Sequence, residues 1–136
     1  MDNMTLMDLI ISSLKNVITV ETEVLFIVFI IILGLEMTSG ILKAIKNKNV
    51  DSTKFREGLL SKSGYILQVL LVVLISIMIN MPYLLYADLL WLSCSEGISV
   101  LENLDQLGIK LPSFVKQILE KTKDTTEKEM DDKESE

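Results

Sequence analysis

Three long apolar segments constrain this chain more than any other feature of its sequence. They occupy residues 24–35, 65–81 and 83–101. A helix needs about 20 residues to cross the roughly 30 Å hydrocarbon layer of a bilayer. The middle segment nearly has that length by itself, and the first reaches it if its helix continues to Ile45. The third is long enough but contains two acids, Asp88 and Glu96.

A soluble fold is the alternative, because a small bundle could bury apolar helices and Val- and Ile-rich segments could be buried strands. A chain of 136 residues, however, has too little interior to bury three segments that are apolar on every face. A soluble helix also needs a wide polar stripe, which residues 65–81 lack. We therefore predict an all-α fold, a small integral membrane protein with about three transmembrane helices.

Composition excludes several functional classes. The chain contains no histidine and a single cysteine, Cys94, which excludes His-dependent nucleophilic triads, His-containing zinc sites and multi-thiolate metal sites. Phosphate-binding glycine loops and nucleophile elbows are absent too, so we expect no enzyme activity, no cofactor and no metal. The formal net charge of −6 argues against nucleic acid as a partner.

The N-terminal segment, residues 1–22, has a different pattern. Its apolar side chains recur every three or four residues and its polar side chains fall opposite. This predicts an amphipathic helix at the membrane interface or against the other helices. A cleaved signal peptide is not expected, since the first charge is Asp2 and two acids stand where a small-residue cleavage site would be.

The expected domain organisation follows from these segments. Residues 1–22 form the amphipathic helix, residues 23–106 the transmembrane domain, and residues 107–136 a short helix followed by a disordered, acidic tail. We expect helices near residues 4–20, 23–46, 64–81, 83–106 and 112–122.

Charge distribution predicts the topology. The connecting loop, residues 41–63, holds six bases and two acids, whereas residues 1–23 hold four acids and one base. Short basic loops stay in the cytoplasm. We therefore expect a multi-pass protein of the bacterial cytoplasmic membrane, with the loop and the C-terminal tail inside and the N terminus outside.

Ionisable groups inside the apolar segments are the first candidates for function. A charge at membrane depth is costly unless it is paired or near water, so Glu36 is a candidate by default. Lys43, two turns later, could draw it to the interface, and a plain boundary position is the alternative. Asp88 and Glu96 lie about 12 Å apart along a helix, too far for a paired-carboxylate hydrolytic site.

A polar stripe along the third segment is the second candidate. Ser93 and Gly97 have the spacing of small residues that allows close helix approach. We predict that a set of polar and small residues lines water or contacts another copy of the chain, namely Glu36, Asp88, Ser93, Glu96, Gly97, Ser99, Glu102 and Asn103. In this hypothesis a single chain hides the three acids within its bundle, and copies at high density turn them towards a hydrated lumen.

The sequence also resembles a known family, the toxin-secretion/phage-lysis holins. The family's Glu-x-x-Ser-x-x-Glu-Asn pattern is similar to Glu96, Ser99, Glu102 and Asn103, followed by Leu107, Gly108 and Pro112. A second match is Gly40, Lys43 and Ala44, with Glu36 and Ser39 in place of the family's Asp and Thr. Arg56 to Leu59 and Lys62 resemble the family's basic segment. The resemblance covers about residues 24–120.

This resemblance implies a holin, a phage-encoded protein that gathers in the host cytoplasmic membrane and permeabilises it. The implied partners are the lipid bilayer, further copies of the chain, and a peptidoglycan hydrolase that then reaches the cell wall. Two alternatives stay open at this point. One is an accessory protein for toxin export without lysis, and the other is a membrane scaffold or antiholin that forms no hole.

Overall fold

The protein is all-α, as the sequence predicts. A computed structural model describes residues 5–121, and this part of the chain contains no β-strand. Its helices are α1 (Leu6–Val17), α2 (Val20–Lys46), α3 (Ser52–Met78) and α4 (Tyr83–Gln106), followed by a helical segment at 113–121. Helices α2, α3 and α4 are each long and apolar enough to cross a bilayer. The predicted disordered tail lies almost entirely outside the described residues.

The connection between the first two spans corrects the sequence prediction. The end of α2 at Lys46 agrees with the helix expected near residues 23–46, but α3 begins at Ser52 and not near residue 64, so the connection is residues 47–51 and not the basic loop 41–63. Asp51 starts α3 early, because its side chain accepts a hydrogen bond from the Thr53 backbone amide at 2.8 Å. The charged residues after it suit an exposed helix and include no proline.

The N-terminal helix α1 is shorter than predicted because one threonine caps its own start and a second threonine caps the start of α2. Thr5 begins α1 with a capping box to Asp8, and Thr19 begins α2 with a capping box to Thr22. The chain therefore turns at Ile18 instead of continuing as one helix.

All three spans end in the same type of C-terminal motif. After α4, the amide of Ile109 donates to the Leu104 carbonyl and that of Gly108 to the Asp105 carbonyl, which is a Schellman motif. It places Gly108 at a φ of +87°. Helices α2 and α3 end in the same way, but their left-handed residues are Lys48 and Asn80, both at a φ of 52°.

Helix α4 lies at the centre of the bundle and packs on both α2 and α3. It is parallel to α2, since the Lys46 ammonium at the end of α2 donates to the Gln106 carbonyl at the end of α4 over 3.0 Å. Helix α3 runs in the opposite direction. The apolar core combines residues of α1, α2 and α4, namely Val17, Phe29, Leu85, Leu89 and Leu92.

The outward faces of the spans are apolar. Large side chains on α2 and α3 are mostly exposed, among them Ile27, Ile31, Leu67, Leu71 and Leu74. Exposed apolar surface on this scale is unstable in water but suits contact with lipid. The soluble alternative is therefore rejected, and the chain is a membrane protein.

Candidate functional site: a charge cluster between the spans

A lysine and two glutamates from three different helices meet inside the bundle. The Lys62 ammonium of α3 lies 2.8 Å from a carboxylate oxygen of Glu36 on α2 and also forms an ion pair with Glu96 on α4. The side chain of Glu96 is 4% exposed, that of Lys62 15% and that of Glu36 20%. One ammonium therefore links all three spans.

Tyr65 completes this cluster from the next turn of α3. Its hydroxyl donates to the second carboxylate oxygen of Glu96 at 2.8 Å. The Lys62 ammonium lies 5.6 Å from the centre of the Tyr65 ring, within range of a cation–π interaction. The ring also meets Phe29 of the apolar core edge-on, with 6.2 Å between centroids. We call Glu36, Lys62, Tyr65 and Glu96 the charge cluster.

The charge cluster lies at one depth in the bundle. Glu36, Lys62 and Glu96 are each ten residues from the end of their helix on the side of the α2–α3 connection. At 1.5 Å per residue this is about 15 Å from that end. A charge at such depth costs several kcal/mol unless it is paired. The single lysine faces two glutamates, so the cluster carries a formal charge of −1.

Two further polar contacts join α4 to its neighbours. The Gln68 side-chain amide of α3 donates to one Asp88 carboxylate oxygen at 2.6 Å, whereas the other oxygen is buried and has no partner among residues 5–121. Near the opposite end, the Asn103 amide donates to the Ser39 hydroxyl of α2 at 3.1 Å. Both contacts fix the register of α4.

The structure gives the predicted acids partners that the sequence analysis did not identify. For Glu36 we considered Lys43 as the nearest base, but the ion pair is with Lys62 on another helix. For Asp88 and Glu96 no partner was evident, whereas Glu96 binds Lys62 and Asp88 accepts from Gln68.

The other residues of the predicted stripe differ in their surroundings. Asn103 is buried, and Glu102 is half-buried. Ser93 and Ser99 donate to carbonyls of their own helix, Leu89 at 2.7 Å and Ser95 at 3.4 Å. Gly97 faces open space, since a Cβ there would meet nothing within 4 Å. Within one chain, Gly97 therefore makes no close helix contact.

The positions that carry the family resemblance have structural roles where α2 meets α4. A Cβ at Gly40 would lie 3.7 Å from the Asn103 amide nitrogen, an ordinary contact distance, so Gly40 packs beside the Asn103 side chain. Lys43 and Ala44 are half-buried in the next turn. Gly108 takes the left-handed position after α4, and the Pro112 carbonyl accepts from the Val115 amide at the start of segment 113–121.

Sequence analysis missed Lys62 as a site residue because it placed the start of α3 after it, and it missed Tyr65 and Gln68 because their partners lie on another helix. A detectable signal was present. Extending the helix backwards puts Lys62, Tyr65 and Ser76 on the face that also holds the apolar residues Val69 and Val72. A base on the buried face of a span requires acidic partners, and three candidate acids were present in the other spans.

The fold and the charge cluster define a class: small multi-pass membrane proteins whose spans enclose paired charges. The chain belongs to the bacteriophage holin family, which matches residues 13–124.

Two curated relatives come from Clostridium perfringens. An uncharacterized protein of strain 13 / Type A is 31% identical over 96 residues, covering 68% of this chain and 70% of the relative. An uncharacterized 14.9 kDa protein in the nagH 3′ region is 31% identical over 100 residues, covering 71% of this chain and 75% of the relative. No solved structure matches the chain significantly.

Proposed function

We propose that the protein is a holin that oligomerises in the bacterial cytoplasmic membrane and permeabilises it, so that a cell-wall hydrolase reaches the peptidoglycan. The observation that carries this proposal is the charge cluster enclosed by three apolar spans in a chain of the bacteriophage holin family. The permeabilisation, the oligomer and the hydrolase partner are the proposed parts.

A single chain has the features of a closed state. Glu36, Lys62 and Glu96 pair with one another, Asp88 accepts a hydrogen bond from Gln68, and the outward faces are apolar. Such a bundle is stable in lipid as one copy, which suits a protein that accumulates before it acts.

Opening then requires that polar side chains exchange their partners within the chain for water between copies. Helix α4 is the suitable element, because Asp88, Glu96 and Asn103 all lie on its buried side. Rotation of α4 away from α2 and α3 would expose these groups to a lumen. The unpartnered oxygen of Asp88 favours this change, since water would supply the hydrogen bond that the bundle does not.

The orientation is part of the proposal. The connection between α2 and α3 contains Lys48 and is flanked by Lys46 and Lys54, and the positive-inside rule favours a cytoplasmic position for it. Single cysteines at Lys48 and at Thr5, in a chain whose Cys94 is replaced, test this with a membrane-impermeant thiol reagent. We expect labelling of intact cells at position 5 only, and labelling at position 48 would reverse the topology.

Inducible expression in a bacterial host tests the function itself. Alone, the chain should collapse the membrane potential at a defined time, and a co-expressed peptidoglycan hydrolase that lacks an export signal should then cause lysis. A lasting membrane potential at normal abundance would contradict the holin proposal and favour a scaffold or antiholin. Collapse of the potential without release of the hydrolase would contradict the part of the proposal that concerns lysis.

A further inference from the structure

Exposed bases without acidic partners gather at one end of the bundle. Lys48 lies in the α2–α3 connection, Lys54 and Arg56 lie in the first two turns of α3, and Lys110 follows α4. Lys110 shares this end because Lys46 binds the Gln106 carbonyl. None of the four bases forms an ion pair with another residue in the range 5–121. We call Lys48, Lys54, Arg56 and Lys110 the basic collar.

Nearby acids do not neutralise the basic collar. Asp51 accepts a hydrogen bond at the start of α3, and Asp105 lies 3.8 Å from Lys116. Glu57 and Glu102 are the other acids of this end before segment 113–121, and neither has an ion-pair partner in the described part of the chain. Counting Lys43, Lys46 and Lys116 with the four collar bases, this end of the bundle holds seven bases and four acids before Glu120, so it keeps an excess of positive charge.

Apolar side chains are interspersed with these bases. Val50, Phe55, Leu60 and Ile109 lie next to or near collar residues in sequence, and all are largely exposed. A hydrophilic acidic partner would complement the charges but leave these side chains in water. A lipid complements both, because its headgroup phosphate accepts from Lys and Arg while its acyl chains cover the apolar groups.

The length of α3 places the collar at headgroup level. Its 27 residues span about 40 Å, whereas the hydrocarbon layer is roughly 30 Å thick. The first turns of α3, which carry Lys54 and Arg56, therefore extend beyond the hydrocarbon, and Lys62 lies deeper by two turns.

We propose that the basic collar is a binding site for the phosphate headgroups of anionic phospholipids such as phosphatidylglycerol. Bound headgroups fix the depth of α3, and with it the depth of the charge cluster. The proposal goes beyond permeabilisation and does not require it, since a chain that forms no hole would bind the same lipids.

Lipid competition on the full-length protein in detergent micelles provides the test. Native mass spectrometry would compare phosphatidylglycerol with phosphatidylcholine of identical acyl chains. We expect the anionic lipid to bind more tightly, with a preference that weakens as salt is raised. Each base near an anionic surface contributes roughly fivefold, so K48Q/K54Q/R56Q should reduce the preference by up to about 100-fold.

Lys15→Gln is the matched control, because Lys15 is an exposed base on α1, at the opposite end of the bundle. It should leave the preference unchanged. Equal binding of the two lipids to the wild type, or an unchanged preference in the triple variant, would overturn the proposal. So would displacement of the lipid by inorganic phosphate at matched ionic strength, which would assign the site to free phosphate. If the preference for the anionic lipid appears only when the acids of residues 122–136 are neutralised, the partner of the collar is that acidic segment and not a lipid.

Discussion

Asn103 holds α4 against α2 by donating to the Ser39 hydroxyl at 3.1 Å, where its side chain packs beside Gly40. Hydrogen bonds between membrane helices contribute about 0.6 kcal/mol on average and up to roughly 1.7 kcal/mol. We expect Asn103→Ala to lower the free energy of unfolding in micelles within that range. Ser39→Ala should cost a similar amount, and the double variant should cost less than the sum. Full additivity would mean that the two side chains do not interact.

Lys62→Met should be the most destabilising single change in the bundle. It keeps the length of the side chain but leaves Glu36 and Glu96 without a counter-charge. Removing one partner of a buried ion pair typically costs about 3–5 kcal/mol. Thermal or denaturant unfolding in micelles measures the loss, and a chain that fails to accumulate in the membrane would agree with it.

A variant that neutralises both glutamates together with the lysine separates the effect of charge pairing from that of packing. In Lys62→Met with Glu36→Gln and Glu96→Gln, no uncompensated charge remains, so we expect most of the lost stability to return. A triple variant as unstable as Lys62→Met alone would mean that packing, and not charge pairing, determines the effect of Lys62.

Glu96→Gln and Glu96→Leu separate the effect of charge from that of polarity on the side of α4 that we propose turns towards the lumen. Both changes remove the excess negative charge of the cluster, and Gln can still accept from Tyr65. Both variants should insert normally, because Lys62 keeps Glu36 as its partner. If the excess charge drives opening, both should delay the collapse of membrane potential, which a potential-sensitive dye would follow while blotting measures abundance. Normal timing for Glu96→Leu at normal abundance would show that Glu96 has no part in opening.

Lys48→Gly should stabilise the protein. Lys48 has a φ of 52° at the end of α2, a conformation that costs a non-glycine residue about 1 kcal/mol. The expected gain in unfolding free energy is about 1 kcal/mol. Gly108→Ala is the reciprocal control, since it puts a Cβ where φ is +87°, and it should destabilise the chain. A loss of stability in Lys48→Gly would contradict this account of the helix end.

The capping box of α1 predicts the pH dependence of that helix. Hydrogen bonds from the Thr5 hydroxyl and amide hold the pKa of Asp8 below its ordinary value of 3.8. The depressed pKa means that this stabilisation is present above pH 3.8 and is lost as pH falls through the lowered value. A carboxyl titration by NMR in micelles should give a midpoint below 3.8, and Thr5→Ala should move it upwards. An unshifted midpoint would show that the box does not form.

Hydropathy predicts most of this fold from the sequence, because a membrane-spanning helix is specified by length and apolar content alone. The limits of α4 match the expected residues 83–106. The start of α3 was missed because hydropathy detects lipid-facing residues and not the polar turns that precede them. The sequence also could not predict which residues pair across helices, since Lys62 is separated from Glu96 by 34 residues and no periodicity links them.

The order of the three charges along the chain has a consequence for biosynthesis. Glu36 leaves the ribosome first, Lys62 follows with the next helix, and Glu96 comes last. A lone lysine costs up to about 2.5–3.5 kcal/mol to insert through the translocon at the centre of a helix and less towards its ends, so Lys62 makes insertion of α3 by itself less favourable. Lys62 pairs with Glu36 of the preceding span, so α2 and α3 enter the lipid as a hairpin whose charges are matched. Synthesis of α4 then adds the second glutamate, so the bundle acquires its net negative charge only when its last span is complete.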